Sequence, residues 1–158
     1  MLKPILLVCA IYFCPLTASA EAELSTEWSR TAANLSEDVT SALEGEPMDI
    51  SVEHEIARFA STAERLSRDM SSIEGAEDLV CIFRGIAEDA DLQLRMLHMP
   101  GKRQASLRRL ATLLHDAERI GLAAAHLEAR GHTRSEISTP MSCEADPEKA
   151  YQYLTEQP

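Results

Sequence analysis

The sequence predicts an all-α protein: an antiparallel up-and-down four-helix bundle with a short C-terminal helix or tail. Three observations lead to this prediction. Apolar residues recur at steps of three and four through four long segments, which keeps them on one face of a helix. Glycine and proline fall between these segments, where they end helices. No segment alternates apolar and polar residues for long enough to indicate a strand.

The third segment, residues 78–98, carries the strongest helical period. Its apolar face comprises Leu79, Ile82, Phe83, Ile86, Ala90, Leu94 and Leu97. Charged residues, among them Asp89, fill the other faces and should meet water. Cys81 lies off the apolar face, and Gly85 lies one turn further along the same side. Because glycine inside a helix costs about 1 kcal/mol relative to alanine, we expect Gly85 to let another segment lie close.

The same reasoning places the other helices. They are predicted over residues 25–44, 49–74 and 102–130, with a short helix over residues 146–156. Asp49 should cap the second helix, because its side chain can accept a hydrogen bond from a free backbone N–H group. The small residues from Gly121 to Ala125 favour a close approach of another helix, with a ligand pocket as the alternative.

Residues 1–20 are predicted to be a signal peptide that is cleaved. Lys3 precedes an apolar run from Ile5 to Leu16, and Ala18-Ser19-Ala20 offers small residues to a signal peptidase. The run is too short for a stable membrane anchor, and no later segment is apolar enough to span a bilayer. We therefore expect one exported domain, residues 21–158, in the periplasm or secreted. Arginine far outnumbers lysine, which is typical of a GC-rich bacterial source.

The charge of the chain narrows the class of partner. The formal net charge is −11, and nucleic-acid binding, which needs a basic face, is therefore not expected. Acids predominate in residues 21–80, whereas bases outnumber acids in residues 81–134. In an up-and-down bundle the acidic first turn would lie beside Lys102 and Arg103. We expect these charges to pair, with a site for an anion or an acidic partner as the alternative.

Cys81 and Cys143 are the two cysteines that remain after removal of the signal peptide. In an exported protein such a pair is expected to form a disulfide. The bond would tether the C-terminal tail to the third helix, and the chain-entropy model gives it about 4 kcal/mol. A reactive thiol pair is the alternative, but the chain has no Cys-x-x-Cys arrangement.

No catalytic constellation is recognisable in the sequence. Paired Glu-x-x-His elements, a nucleophile elbow, a P-loop and a zinc-protease motif are all missing. We therefore expect no enzyme and no cofactor, but a noncatalytic binding or accessory module for a protein partner. It would act through the tail or a helical face, such as the acidic surface of the first two helices. The sequence leaves the choice between monomer and homodimer open.

A cluster of methionine and histidine residues carries an alternative function. Met96, His98 and Met99 end the third helix, while Met48 and His54 lie around the start of the second. The topology brings all five towards one end of the bundle. Thioether and imidazole groups suit copper(I), or the axial positions of a haem b. The chain would then be a periplasmic copper or haem carrier, although methionines often merely fill gaps in a core.

Overall fold

The computed structural model describes residues 17–130 and Cys143, with side chains from Glu23 onwards. In this part of the chain the protein is all-helical, with four α-helices and no strand. The helices are α1 (Thr17–Leu43), α2 (Ile50–Met70), α3 (Glu77–Leu97) and α4 (Arg103–Arg130). The predicted all-α class is thus confirmed. Most of the predicted signal peptide and the predicted helix over residues 146–156 lie outside the described residues.

The ends of α2 have local causes. Asp49 caps the helix as predicted, because its carboxylate accepts a hydrogen bond of 2.7 Å from the Ser51 backbone N–H. The helix ends at Met70, before the predicted end at residue 74. The hydroxyls of Ser71 and Ser72 donate to backbone carbonyls three residues earlier. Serine hydroxyls compete with the helical hydrogen-bond pattern in this way.

The first helix begins earlier than predicted, at Thr17 rather than near Ser25. Alanine and glutamate predominate in the added segment, and both are strong helix formers. The predicted cleavage after Ala20 would therefore shorten α1 and leave its described buried residues, which begin at Ser25, in the chain. Two of the connections turn at Gly45 and Gly101, which have φ angles of 108° and 73°. Glycine adopts such angles at little cost because it has no Cβ.

The four helices pack as a bundle. The most extensive contacts join α1 to α4 and α2 to α3, while α1 with α2 and α3 with α4 share fewer. Within the described residues no backbone contact joins α1 to α3 or α2 to α4. The Ser67 hydroxyl near the end of α2 donates to the Val80 carbonyl near the start of α3, at 2.7 Å. At the opposite ends of the same two helices, His98 lies 2.9 Å from Glu53.

Three aromatic rings form the centre of the core. Trp28 stacks on Phe59 with ring centroids 4.5 Å apart, and Phe83 meets Trp28 edge-on at 5.1 Å. The Trp28 indole N–H donates to the Phe59 carbonyl at 3.1 Å, so the polar atom of this buried ring has a partner. The predicted apolar faces are buried around these rings. The apolar residues that pack against this core but are only half-buried include Leu24, Leu43, Ile82, Leu94, Ile120 and Leu127.

Candidate functional site

The five residues of the predicted metal cluster occupy different environments. Met48 is half-buried and packs against the core, whereas Met99 is 49% exposed. His54 is exposed and Met96 is half-buried. The His98 side chain is largely exposed, and its Nε2 atom lies 2.9 Å from Glu53 Oε2. A copper or haem site at these residues stays a hypothesis.

Histidine, cysteine and carboxylate side chains are the other metal ligands that this chain offers. Within residues 23–130 and Cys143, no group of three or more of them is arranged to hold a metal ion. The contact between His98 and Glu53 becomes an ion pair when the imidazole is protonated.

Cys81 and Cys143 lie side by side, with Cα atoms 5.4 Å apart. This separation falls in the range of about 4.4–6.8 Å that disulfides require. The two residues are separated by 62 positions, so a bond would fasten the chain beyond α4 to the start of α3. Among the described residues, a Cβ atom at Gly85 would meet nothing within 4 Å. The expectation that Gly85 lets the tail lie close stays a prediction, because the tail apart from Cys143 lies outside the described residues.

At Gly121, α1 and α4 approach each other closely, as the small residues of α4 predict. A Cβ atom at this position would lie 2.8 Å from the Ser29 Cβ atom and 3.0 Å from the Ser25 carbonyl oxygen. The Ser29 hydroxyl of α1 also donates to the Glu118 backbone carbonyl of α4, at 2.7 Å. The small residues therefore serve helix packing here rather than a ligand pocket.

The interface between α1 and α4 also contains a buried carboxylate that the sequence did not predict. Glu128 is 4% exposed, and the Ser25 hydroxyl donates to its Oε1 atom at 2.9 Å. A buried charge is costly unless it is paired and hydrogen-bonded. The signal in the sequence was spacing: Ala117, Gly121, Ala124 and Glu128 follow at helical steps, so Glu128 continues the buried face of α4. A search for apolar residues alone passes over it.

The basic residues at the start of α4 do not pair with the acidic first turn. Lys102 and Arg103 are exposed, and in the described residues neither lies within 4.0 Å of a carboxylate oxygen. Arg109 instead reaches α3, with Nε at 2.7 Å from Asp89 Oδ2, and Gln93 donates to the other oxygen at 2.8 Å. The predicted pairing is wrong, and Asp89 is less exposed than predicted.

The acidic surface expected on the first two helices is concentrated on α1. Its exposed carboxylates before the first turn are Glu23, Glu27, Glu37 and Asp38. None of them takes part in an ion pair within the described residues, and Arg30 is the only base on this helix. On α2, by contrast, Arg58 lies 3.3 Å from Glu55 and Arg65 lies 3.5 Å from Asp69. Of these two helices, α1 therefore carries most of the uncompensated negative charge, and Glu64 is the one exposed acid of α2 without an ion pair in the described residues.

Comparison with known proteins finds no match for this chain among protein-family models, curated proteins or solved structures. Among the helices that the structure describes, none has the length and hydrophobicity of a membrane span. The functional interpretation consequently rests on the residues of this chain.

Proposed function

We propose that this chain is an exported, noncatalytic binding or accessory module that recognises a basic surface of a protein partner. The outward face of α1 is the main support for this proposal, because its exposed carboxylates have no ion-pair partner within the described residues. Exposed charge of one sign steers an oppositely charged partner and orients it on the surface. The other side of α1 is buried against the bundle, which fixes the carboxylates on a rigid support.

The same proposal includes an up-and-down topology. Contacts between helix ends support it: Ser25 near the start of α1 meets Glu128 near the end of α4, and Glu53 near the start of α2 meets His98 just after α3. Within each pair, α1 with α4 and α2 with α3, the two helices therefore run antiparallel. Short connections between consecutive helices fit this arrangement.

The proposal includes export of the chain and a disulfide between Cys81 and Cys143, because disulfides form in oxidising compartments. The signal-peptide pattern of residues 1–20 supports export, and the 5.4 Å between the Cα atoms of Cys81 and Cys143 supports a disulfide formed in an oxidising compartment. The bond would hold the segment after α4 against the start of α3. A second protein-binding element could then be presented at that end of the bundle.

Site-specific photo-crosslinking in the producing cell tests the proposed surface. A photoreactive residue replaces Asn34, which is exposed on α1 between the glutamates of this face. We expect one covalent adduct of discrete mass to a second protein. The variant E37Q/D38N should reduce the yield of that adduct several-fold, because it removes two of the steering charges.

The matched control removes the same charge from another helix. Glu88 and Asp91 are exposed on α3, and E88Q/D91N should leave the adduct unchanged. An adduct reduced equally by both variants would show that net charge rather than α1 controls binding, and the proposal would fail. It would also fail if no adduct formed, or if the purified protein showed catalytic turnover.

A further inference from the structure

Two turns of the chain share one end of the bundle. The contact of 2.9 Å between Glu53 and His98 joins the start of α2 to the end of α3. The turn before α2 and the turn after α3 must therefore lie at this end. We call it the turn end and define it as residues 44–50 and 98–103. Since α1 and α2 are neighbours, as are α3 and α4, the two turns lie along opposite edges of it.

The two edges of the turn end carry opposite charges that do not meet within the chain. Glu44 and Glu46 are exposed on the first edge, and Lys102 and Arg103 are exposed on the second. In the described residues, none of these four side chains lies within 4.0 Å of an opposite charge. Each edge is therefore available to an external group of the opposite sign.

These charges also sit where their own helices disfavour them. A helix carries partial negative charge at its C-terminal end and partial positive charge at its N-terminal end. Glu44 directly follows the last residue of α1, and no basic residue lies in the last turn of that helix. Arg103 opens α4, and no acidic residue lies in its first turn. Helix stability therefore does not account for either set of charges.

Two exposed apolar side chains complete the turn end. Ile50 is 61% exposed at the start of α2, and Met99 is 49% exposed just after α3. They are two of the four large apolar residues that are exposed in the described residues. One lies on the acidic edge and the other on the basic edge. The turn end thus combines apolar surface with a pattern of charge that is complementary to itself.

We propose that the turn end binds a second copy of this chain and forms a symmetric end-to-end homodimer. A two-fold axis parallel to the two edges and midway between them brings the acidic edge of each copy onto the basic edge of the other. The same operation brings Ile50 of one copy onto Met99 of the second. Such an interface is isologous, as most homodimer interfaces are.

The size of the turn end sets the strength of the dimer. Four helices spaced about 10 Å apart present an end of roughly 400 Å² per copy. Interfaces of this size belong to the weak, transient class. Charge pairing at its rim is screened by salt. The dimer should therefore form reversibly as the concentration rises and weaken as salt is added.

Sedimentation equilibrium of the purified, naturally processed protein tests this proposal. Over a range of concentrations at about 0.05 M salt, we expect a monomer–dimer equilibrium that shifts towards monomer at about 0.5 M. Reversing either edge, with E44K/E46K or with K102E/R103E, should weaken association about tenfold or more. Both reversals place charges where the helix ends favour them, so neither should unfold the protein.

Mixing the two charge-reversed variants is the decisive step. In a mixed dimer every acidic edge again faces a basic edge, so association should return to the wild-type level. Rescue by mixing cannot arise from contacts within one chain. The variant M99E should weaken the dimer as well. Its matched control is L122E, because Leu122 is 47% exposed on α4 but lies about 28 Å along the helix from the turn end.

Three results would overturn the homodimer. The protein could remain monomeric at every concentration and salt level. The mixed variants could fail to associate although each is folded. L122E could weaken association as much as M99E does. The crosslinking experiment on α1 is independent of all three, because residues 34, 37 and 38 lie outside the turn end.

Discussion

Gly121 and Gly85 both lie inside helices, but their surroundings differ. A Cβ atom at Gly121 would lie 2.8 Å from the Ser29 Cβ atom, whereas one at Gly85 would meet no described residue within 4 Å. We expect G121A to lower the free energy of unfolding by about 1–2 kcal/mol, because overpacking outweighs the gain in helix propensity. G85A should raise it by about 0.5–1 kcal/mol.

Urea denaturation followed by tryptophan fluorescence measures both effects. Trp28 is the only tryptophan in the chain and is 2% exposed, so its emission should shift to the red on unfolding. We expect the urea midpoint of G121A to lie below that of the wild type and the urea midpoint of G85A to lie above it. If both substitutions moved the midpoint in the same direction, the tight contact between α1 and α4 at Gly121 would be contradicted.

Asp49 makes the stability of α2 depend on pH. The Ser51 backbone N–H, and secondly the Ser51 side chain, hold the pKa of this carboxyl below its ordinary value of 3.8. Because the folded pKa is the lower one, the stabilising contribution is complete above the unfolded pKa and is lost as pH falls through the folded pKa. We expect this loss below about pH 4.

The variant D49N separates the cap from its titration. An asparagine side chain still accepts the N-cap hydrogen bond but carries no charge to lose. Wild type should therefore be more stable than D49N at neutral pH, and the difference should shrink towards acidic pH. Unfolding free energies at a series of pH values measure it. A difference that stays constant from neutral to strongly acidic pH would rule out the titrating cap.

At the scale of the helices, sequence periodicity located all four elements but not all of their ends. Apolar spacing identifies a buried face wherever the residues on that face are apolar. It passes over Ser25 and Glu128, which are buried on the same faces as polar residues. Hydrogen bonds from the Ser71 and Ser72 hydroxyls to the backbone decide where α2 ends. The spacing of apolar residues carries no information about these hydrogen bonds.

The charge pattern of the sequence predicted which turns share an end of the bundle better than it predicted direct ion pairs between them. The sequence placed the acidic first turn and the basic third turn at one end, which the pair of Glu53 and His98 supports. It also predicted that the turns pair directly, but no carboxylate of the described residues lies within 4.0 Å of Lys102 or Arg103. Ion pairs need side chains within a few ångströms, whereas topology fixes positions only to about the width of a helix.

The link between α3 and the C-terminal segment gives a prediction at the same scale. A disulfide between Cys81 and Cys143 spans 62 positions and should stabilise the fold by about 4 kcal/mol through the unfolded state. Reductant should therefore lower the urea midpoint of the wild type. The variant C81S/C143S should be less stable to a similar degree and should no longer respond to reductant. An equal response to reductant in both proteins would contradict a disulfide.

At the scale of the whole molecule, charge distinguishes the two surfaces for which we propose different partners. The outward face of α1 is acidic along its length, and we propose a basic protein partner for it. The turn end carries both signs of charge, and we propose a second copy for it. A chain with a formal net charge of −11 repels its own copies at long range. A local pattern of opposite charges is therefore needed before two copies can associate.

Native mass spectrometry of the naturally processed protein, beside its denatured mass, tests the central proposal most directly. We expect a denatured mass that matches residues 21–158 less the two hydrogens lost on forming a disulfide. The native mass should equal this value or twice it, with nothing else bound. A mass that includes residues 1–20 would contradict export with cleavage, and a fully reduced mass would contradict the tether. An additional mass that disappears on denaturation would contradict a module without cofactor, and it would favour a copper or haem carrier.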